Sequence, residues 1–112
     1  MSQVGAKHIL QKHVGSRNPN DSYRKKPITR SKEEAVANIE KFKAEIKGAE
    51  DFDRIAAEFS ECGSAANNGD LGMFGPGQMQ KAFEDAAFAL NVGEVSGLVD
   101  SDSGIHIIYR YA

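Results

Sequence analysis

The stretch GDLGMFGPGQMQKAFEDAAFAL, residues 69–90, decides the fold class. In its first half, Gly69, Gly72, Gly75 and Gly77 surround the apolar Leu71, Phe74 and Met79. Leu71 to Phe74 is a short apolar run and reads as a strand. Pro76 and Gly77 then break the chain. From Gln78 to Leu90 the period changes: Phe83, Ala86, Ala87 and Leu90 fall at spacings of three and four, the apolar stripe of a helix. The glycines permit close backbone approach. Neither a phosphate-cradling G-x-x-x-x-G-K-[ST] loop nor a dinucleotide fingerprint is present, so an apolar pocket with an exposed rim is the better reading.

Working outward, Leu98–Ser101 and Ile105–Tyr111 flank a turn at Asp102–Gly104 and predict a closing hairpin. Upstream, Ser31 with Glu34 three residues on forms a capping-box signature. Ala35, Val36, Ile39, Phe42 and Ile46 follow as one stripe, and Gly48 ends that helix. Asp51 is expected to cap a second helix carrying Phe52, Ile55, Ala56 and Phe59. Glu61–Asp70 reads as a turn or short helix, and Lys7–His13 as a strand. The order is strand, three helical segments, strand, helix, two strands. Such segregation predicts an α+β fold rather than a doubly wound one, with residues 1–112 as a single domain. Residues 14–30 form a loop punctuated by Gly15, Asn18, Pro19, Asn20, Asp21 and Pro27. A loop that long in a compact domain is usually functional or disordered.

The net charge of −2 hides an asymmetry. Residues 1–32 hold eight of the 14 Lys and Arg and one of the 16 acids, so they carry +7 while the other 80 residues carry −9. A basic segment on an acidic body suits capture of a small anionic group better than of a nucleic acid, whose binders are basic overall. A solvated, charged loop is the alternative. No run approaches the roughly 18 apolar residues of a membrane span, and MSQVGAKHIL has no signal-peptide core. The one cysteine, Cys62, excludes an internal disulfide. With no export signal it leads us to expect a cytoplasmic or nuclear protein.

Three groups of residues could carry chemistry. His8 shares a strand face with Leu10, and His106 with Ile108, so both rings are expected inside, facing each other. They are either neutral core histidines or a hydrogen-bonded network that orients a site residue. Cys62, in SECGSAANNGD, is either an inert buried thiol or a reactive one. Cys62 with His8, His13 and His106 lacks the paired close spacings of a structural zinc site, so no metal is expected. Leu71, Phe74, Met79 and Phe83 supply the apolar surface.

KHILQKHVGSR (7–17), FSECGSAANNGDLGMFGPGQMQKAFEDAAFAL (59–90) and SDSGIHIIYR (101–110) together resemble the parvulin family of peptidyl-prolyl cis/trans isomerases, and within it the Pin-type branch. The match runs from Ala6 to Tyr111. It implies four antiparallel strands flanked by four helices, and no cofactor. It implies a proline pocket of Leu71, Met79 and Phe83. Gln80 corresponds to a residue that bonds the substrate backbone, and Cys62 to the active-site thiol. His8 and His106 are the histidine pair, with hydroxyls Ser101 and Ser103 beside it. Lys12 and Arg17 match the residues that hold a substrate phosphate. The implied substrates are proteins containing phosphoSer-Pro, phosphoThr-Pro or acidic-Pro, in protein folding and cell-cycle regulation, acted on by a monomer that binds neither nucleic acid nor membrane.

Two departures stand out. Asn18 occupies the place of a second consecutive arginine, and Ser101 that of a threonine. The chain has no tryptophan, so the WW module of some relatives is expected to be missing. Three rival functions share these residues: a weakly catalytic phosphopeptide-binding module, a Cys–His hydrolase, and a structural adaptor. The hydrolase would need a base beside Cys62 and an oxyanion site.

Overall fold

A computed structural model describes residues 3–112. Four strands, β1 (Val4–Gln11), β2 (Asp70–Phe74), β3 (Val99–Ser101) and β4 (Gly104–Arg110), form one antiparallel sheet in the order β2-β1-β4-β3. Three α-helices, α1 (Lys32–Glu45), α2 (Ala49–Phe59) and α3 (Lys81–Ala89), and a 3-10 turn at Gly63–Asn67 complete it. The short turn stands where a fourth helix was expected.

Alternation along the two central strands builds two cores. Ile9, Ile105 and Ile107 point to one face and pack with Ala35, Ile39 and Phe42 of α1 and Phe52, Ile55 and Ala56 of α2. Val4, Ala6 and Ile108 point to the other and pack with Phe74, Phe83 and Ala87. Each fully buried Ile or Phe here contributes roughly 1.5–3 kcal/mol of transfer free energy. His8 and His106 share the second face with α3, which places two imidazoles in an otherwise apolar layer.

Element ends differ from the expectations for local reasons. The first strand starts at Val4 because Gly5 pairs with Met73 and its backbone bonds Tyr111 and Ala112. It stops at Gln11, and the chain then turns at His13, whose carbonyl accepts from Ser16 N. The Ser31–Glu34 capping box is present in both directions. Gly48, not Asp51, is the N-cap of α2, and the Asp51 carboxylate accepts from Lys47 N at 2.9 Å instead. Helix α3 begins at Lys81 rather than Gln78, since Gly77 has φ +84° and the Gln78 side chain accepts from Gly75 N.

Two glycines bring the site together. The carbonyl of Gly69 (φ +81°) accepts from His8 N, and a Cβ there would lie 2.3 Å from the His8 carbonyl oxygen. Gly104 (φ +144°) closes the β3–β4 turn, where a Cβ would meet the Gln11 oxygen at 2.6 Å. No side chain larger than hydrogen fits at either place.

Candidate active site

A cavity of about 270 Å³ opens on the α3 face of the sheet. It is lined by His8, Arg17, Cys62, Leu71, Gln78, Met79, Gln80, Phe83, Ser101, Ser103 and His106. All three residues expected to grip a proline are there. Leu71 comes from β2, Met79 from the turn before α3, and Phe83 from the first turn of α3. Cys62 is the N-cap of the 3-10 turn and is partly exposed. Gln78 is a lining residue the sequence reading did not single out, because it was placed inside the helix. A larger groove of about 580 Å³ lies between α1, α2 and residues 21–30. It contains none of the expected site residues, and the chemistry converges on the smaller cavity.

Phe83 makes the floor of this cavity. Its ring meets His8 edge-on at 5.4 Å and His106 at 5.2 Å, and packs on Phe74 at 6.1 Å. The two imidazoles stack at 5.2 Å with His8 Nδ1 3.0 Å from His106 Nδ1. Burial and the neighbouring His106 push His8 down to about 3, and burial pushes His106 down to about 4. Both rings are therefore neutral at physiological pH, with one N–H each. His8 Nε2 is buried with no partner among the described residues. An orphaned buried N–H is rarer than an under-satisfied acceptor, so we assign the His8 proton to Nδ1, donating to His106 Nδ1. The His106 proton then sits on Nε2 and donates to Ser101 Oγ at 2.6 Å. The pair thus locks the end of β3.

The β3–β4 turn carries this network to the rim. Ser103 N donates to Ser101 Oγ at 3.2 Å. Gln80 Nε2 donates to Ser103 Oγ at 2.7 Å, and Asp102 N donates to Gln80 Oε1 at 3.0 Å. Arg17 N donates to the Asp102 carbonyl at 2.8 Å. So the turn ties Gln80 on one side to the basic loop on the other. No residue spacing signalled this, because the key donor is a backbone N–H.

Only part of the basic loop reaches the cavity. Lys12, Arg17 and Asn18 line a depression of about 180 Å³ with Leu10, Ser22, Cys62 and Ser103. It shares Arg17, Cys62 and Ser103 with the apolar cavity. The exposed Arg17 guanidinium makes no ion pair among the described residues. Lys12 is buried along its stem and donates Nζ to the Asn20 carbonyl (2.6 Å) and Ser22 Oγ (3.0 Å), leaving one proton free. Burial pulls its pKa down, against the attraction of Cys62, Asp21 and Glu61. Ser22, which tethers Lys12, is a second neighbour the sequence did not signal.

Arg24 does not reach the depression lined by Lys12 and Arg17. It donates to the Ala57, Glu58 and Ser60 carbonyls at the C-terminal end of α2 and pairs with Asp21 at 3.1 Å. Burial raises the Asp21 carboxyl, but bonds from Arg24 and from the Tyr23 backbone outweigh it and hold the pKa below the usual value. Lys26 lines the other groove, and Arg30 binds Glu61 at 2.5 Å and the Lys12 carbonyl. Lys12, Arg24 and Arg30 thus brace the loop.

The PPIC-type PPIase domain family, Rotamase, matches residues 8–112. The chain belongs to this family. It is a parvulin-type peptidyl-prolyl cis-trans isomerase domain of Pin type. Over 98% of its length it is 55% identical to the Drosophila melanogaster peptidyl-prolyl cis-trans isomerase dodo, of which it spans 66%. Over 98% of its length it is 47% identical to Arabidopsis thaliana Pin1, of which it spans 96%. The peptidyl-prolyl isomerase ESS1 from Candida albicans superimposes with a TM-score of 0.89 at 37% identity, over 98% of this chain and 63% of that one. The chain thus covers nearly all of one relative and about two thirds or less of others.

A parvulin-type domain must lower a rotation barrier of roughly 18–20 kcal/mol. Rotation about the C–N bond itself needs no covalent step. What rotation needs is a dry grip on the pyrrolidine ring, a second grip on the flanking chain, and polar groups aimed at the carbonyl as it swings. The cavity supplies an apolar floor and, on its rim, Cys62, Ser103 and the Gln80 carboxamide.

Proposed function

We propose that this domain isomerises X-Pro bonds with a preference for phosphoSer-Pro or phosphoThr-Pro, then for acidic-Pro, over neutral residues before the proline. Leu71, Met79 and Phe83 hold the ring, and Gln80 holds the following backbone. Cys62 tunes the field at the carbonyl, His8, His106, Ser101 and Ser103 orient that wall, and Lys12 with Arg17 takes the anion. The observation that carries the reading is the unpaired Arg17 side chain on the boundary between the apolar cavity and the Lys12 depression. A residue one step before the proline falls at that boundary.

Charge-assisted contacts to a phosphate are worth about 1.5–3 kcal/mol each. Asn18, in place of a second arginine, leaves two cations, so the preference is moderate and Asn18→Arg raises it. The test is turnover by exchange NMR of phosphoSer-Pro and Glu-Pro peptides with Arg17→Ala. The variant loses most of its advantage on the phosphopeptide and less on Glu-Pro. Equal loss on both peptides would argue that Arg17 does not read the phosphate.

A further inference from the structure

We propose that the β3–β4 turn fixes the polarity of the Gln80 carboxamide, so that Gln80 meets the substrate peptide as a hydrogen-bond donor, with Ser103 as its positioning residue. The inference rests on Gln80 being the substrate-facing residue proposed above. A carboxamide side chain can ordinarily turn over and present either end. Here one neighbour forbids it. Asp102 N–H is a backbone donor and cannot accept, so the oxygen of Gln80 must face it. The nitrogen then faces Ser103 Oγ, the position it takes at 2.7 Å.

The two ends also face different spaces. Ser103 lines the apolar cavity and Asp102 does not. Asp102 lines an outer hollow with Lys81, Ala82, Asp100 and Ser101, which Ser103 does not enter. The nitrogen end is therefore on the proline side and the oxygen end on the outer side. Nitrogen spends one of its two protons on Ser103 and keeps the other. The Ser103 hydroxyl, having accepted from Gln80, still has its own proton to give. The Gln80–Ser103 corner of the cavity offers two donors, suited to a peptide carbonyl or to the prolyl nitrogen lone pair that emerges as the amide twists. Gln80 turns no amide oxygen toward a peptide N–H there. The turn is itself held from outside by Arg17 N on the Asp102 carbonyl.

The experiment compares Gln80→Met, Gln80→Glu, Ser103→Ala and Ser103→Thr on a neutral Ala-Pro peptide, which removes charge repulsion toward substrate. Gln80→Met deletes both ends of the amide. Gln80→Glu keeps an oxygen for Asp102 N–H and presents only oxygen to the cavity. Both are expected to lower kcat/KM about tenfold, the effect of losing one hydrogen bond of about 1.4 kcal/mol. In ¹⁵N spectra the Gln80 side-chain amide gives two proton signals, kept distinct by its C–N partial double bond, and the proton bonded to Ser103 Oγ is expected downfield. Ser103→Ala should move that signal upfield and Ser103→Thr restore it, a change that a purely structural Ser103 would not produce. Gln80→Glu with wild-type kcat/KM beside an impaired Gln80→Met would overturn the donor assignment alone. Wild-type activity in Gln80→Met would overturn the substrate-facing role as well. Gln80 signals unmoved by Ser103→Ala would overturn Ser103 as the positioning residue.

Discussion

His8 Nδ1 lies 3.0 Å from His106 Nδ1 although the two residues are not paired in the sheet: His8 faces Ile108, and His106 faces Leu10. They meet on the diagonal, within reach because imidazoles are long enough to span it. The contact joins the two central strands directly beneath the cavity.

This pair makes stability acid-sensitive in a defined window. Both folded-state values are depressed, so the unfolded chain takes up protons near pH 6.5 while the folded one does not until about 4 and about 3. Stability is fully present above 6.5 and falls as pH drops, by up to about 1.4 kcal/mol per pH unit for each histidine. Urea denaturation between pH 7 and 4 checks this. A flat profile over that range would contradict the neutral, buried pair.

The pair is also coupled. His8→Leu or His106→Leu alone strands the other ring's nitrogen and is expected to cost about 1–3 kcal/mol. The double variant is expected to be more stable than the sum of the singles by about 1 kcal/mol, read from a denaturation double-mutant cycle. Strict additivity would show that the 3.0 Å contact contributes nothing. Activity is expected to survive in part, because isomerisation moves no proton.

Met79 and Phe83 are separable probes of the cavity. Phe83 is 4% exposed and packs on both histidines and Phe74, so Phe83→Ala is expected to cost about 3–5 kcal/mol of stability along with activity. Met79 is only partly buried. Met79→Ala should keep most of the stability and lose about tenfold in kcat/KM, the scale of an apolar contact in a substrate pocket. A folded Met79→Ala with unchanged kcat/KM would remove Met79 from the proline site.

Much of the site was legible because it rests on side-chain type and strand alternation. His8 with Leu10 and His106 with Ile108 could share a face only if the strands paired, and they do. The set expected to grip a proline gathers in one cavity because Leu71 and Phe83 flank the glycine-rich turn at residues 75–77. What was not legible depends on backbone donors and long side chains. Arg24 runs to the end of α2, Arg30 to Glu61 and Lys12 to Asn20, contacts between residues 8 to 36 positions apart in sequence. A basic run therefore read as one charged loop, when Lys12, Arg24 and Arg30 are internal bracing. The true start of α3 was hidden for a similar reason, since the Gln78 side chain caps a turn and not the helix.

Cys62 separates the field-tuning role from a nucleophilic one. Cys62→Ala is expected to lower kcat/KM by about tenfold or more, and Cys62→Asp to retain more activity, since a polar group at that position can supply the field. Matched kinetics on one peptide check it. An Asp variant as weak as Ala would argue against the electrostatic role, and a trapped peptide adduct on Cys62 would establish the nucleophile.

The central claim is that an anion before the proline is held at Arg17 and Lys12 while the ring turns in the Leu71–Met79–Phe83 cavity. The most direct test is the cis/trans exchange rate, by two-dimensional exchange NMR, of matched phosphoSer-Pro, Glu-Pro and Ala-Pro peptides. It should be run at low ionic strength and again at about 1 M salt, where screening acts within about 3 Å. The expected order is phosphoSer-Pro, then Glu-Pro, then Ala-Pro, with the differences shrinking in salt because Arg17 is open to solvent. Equal rates for the three peptides at low salt would contradict the anion subsite and leave a general prolyl isomerase.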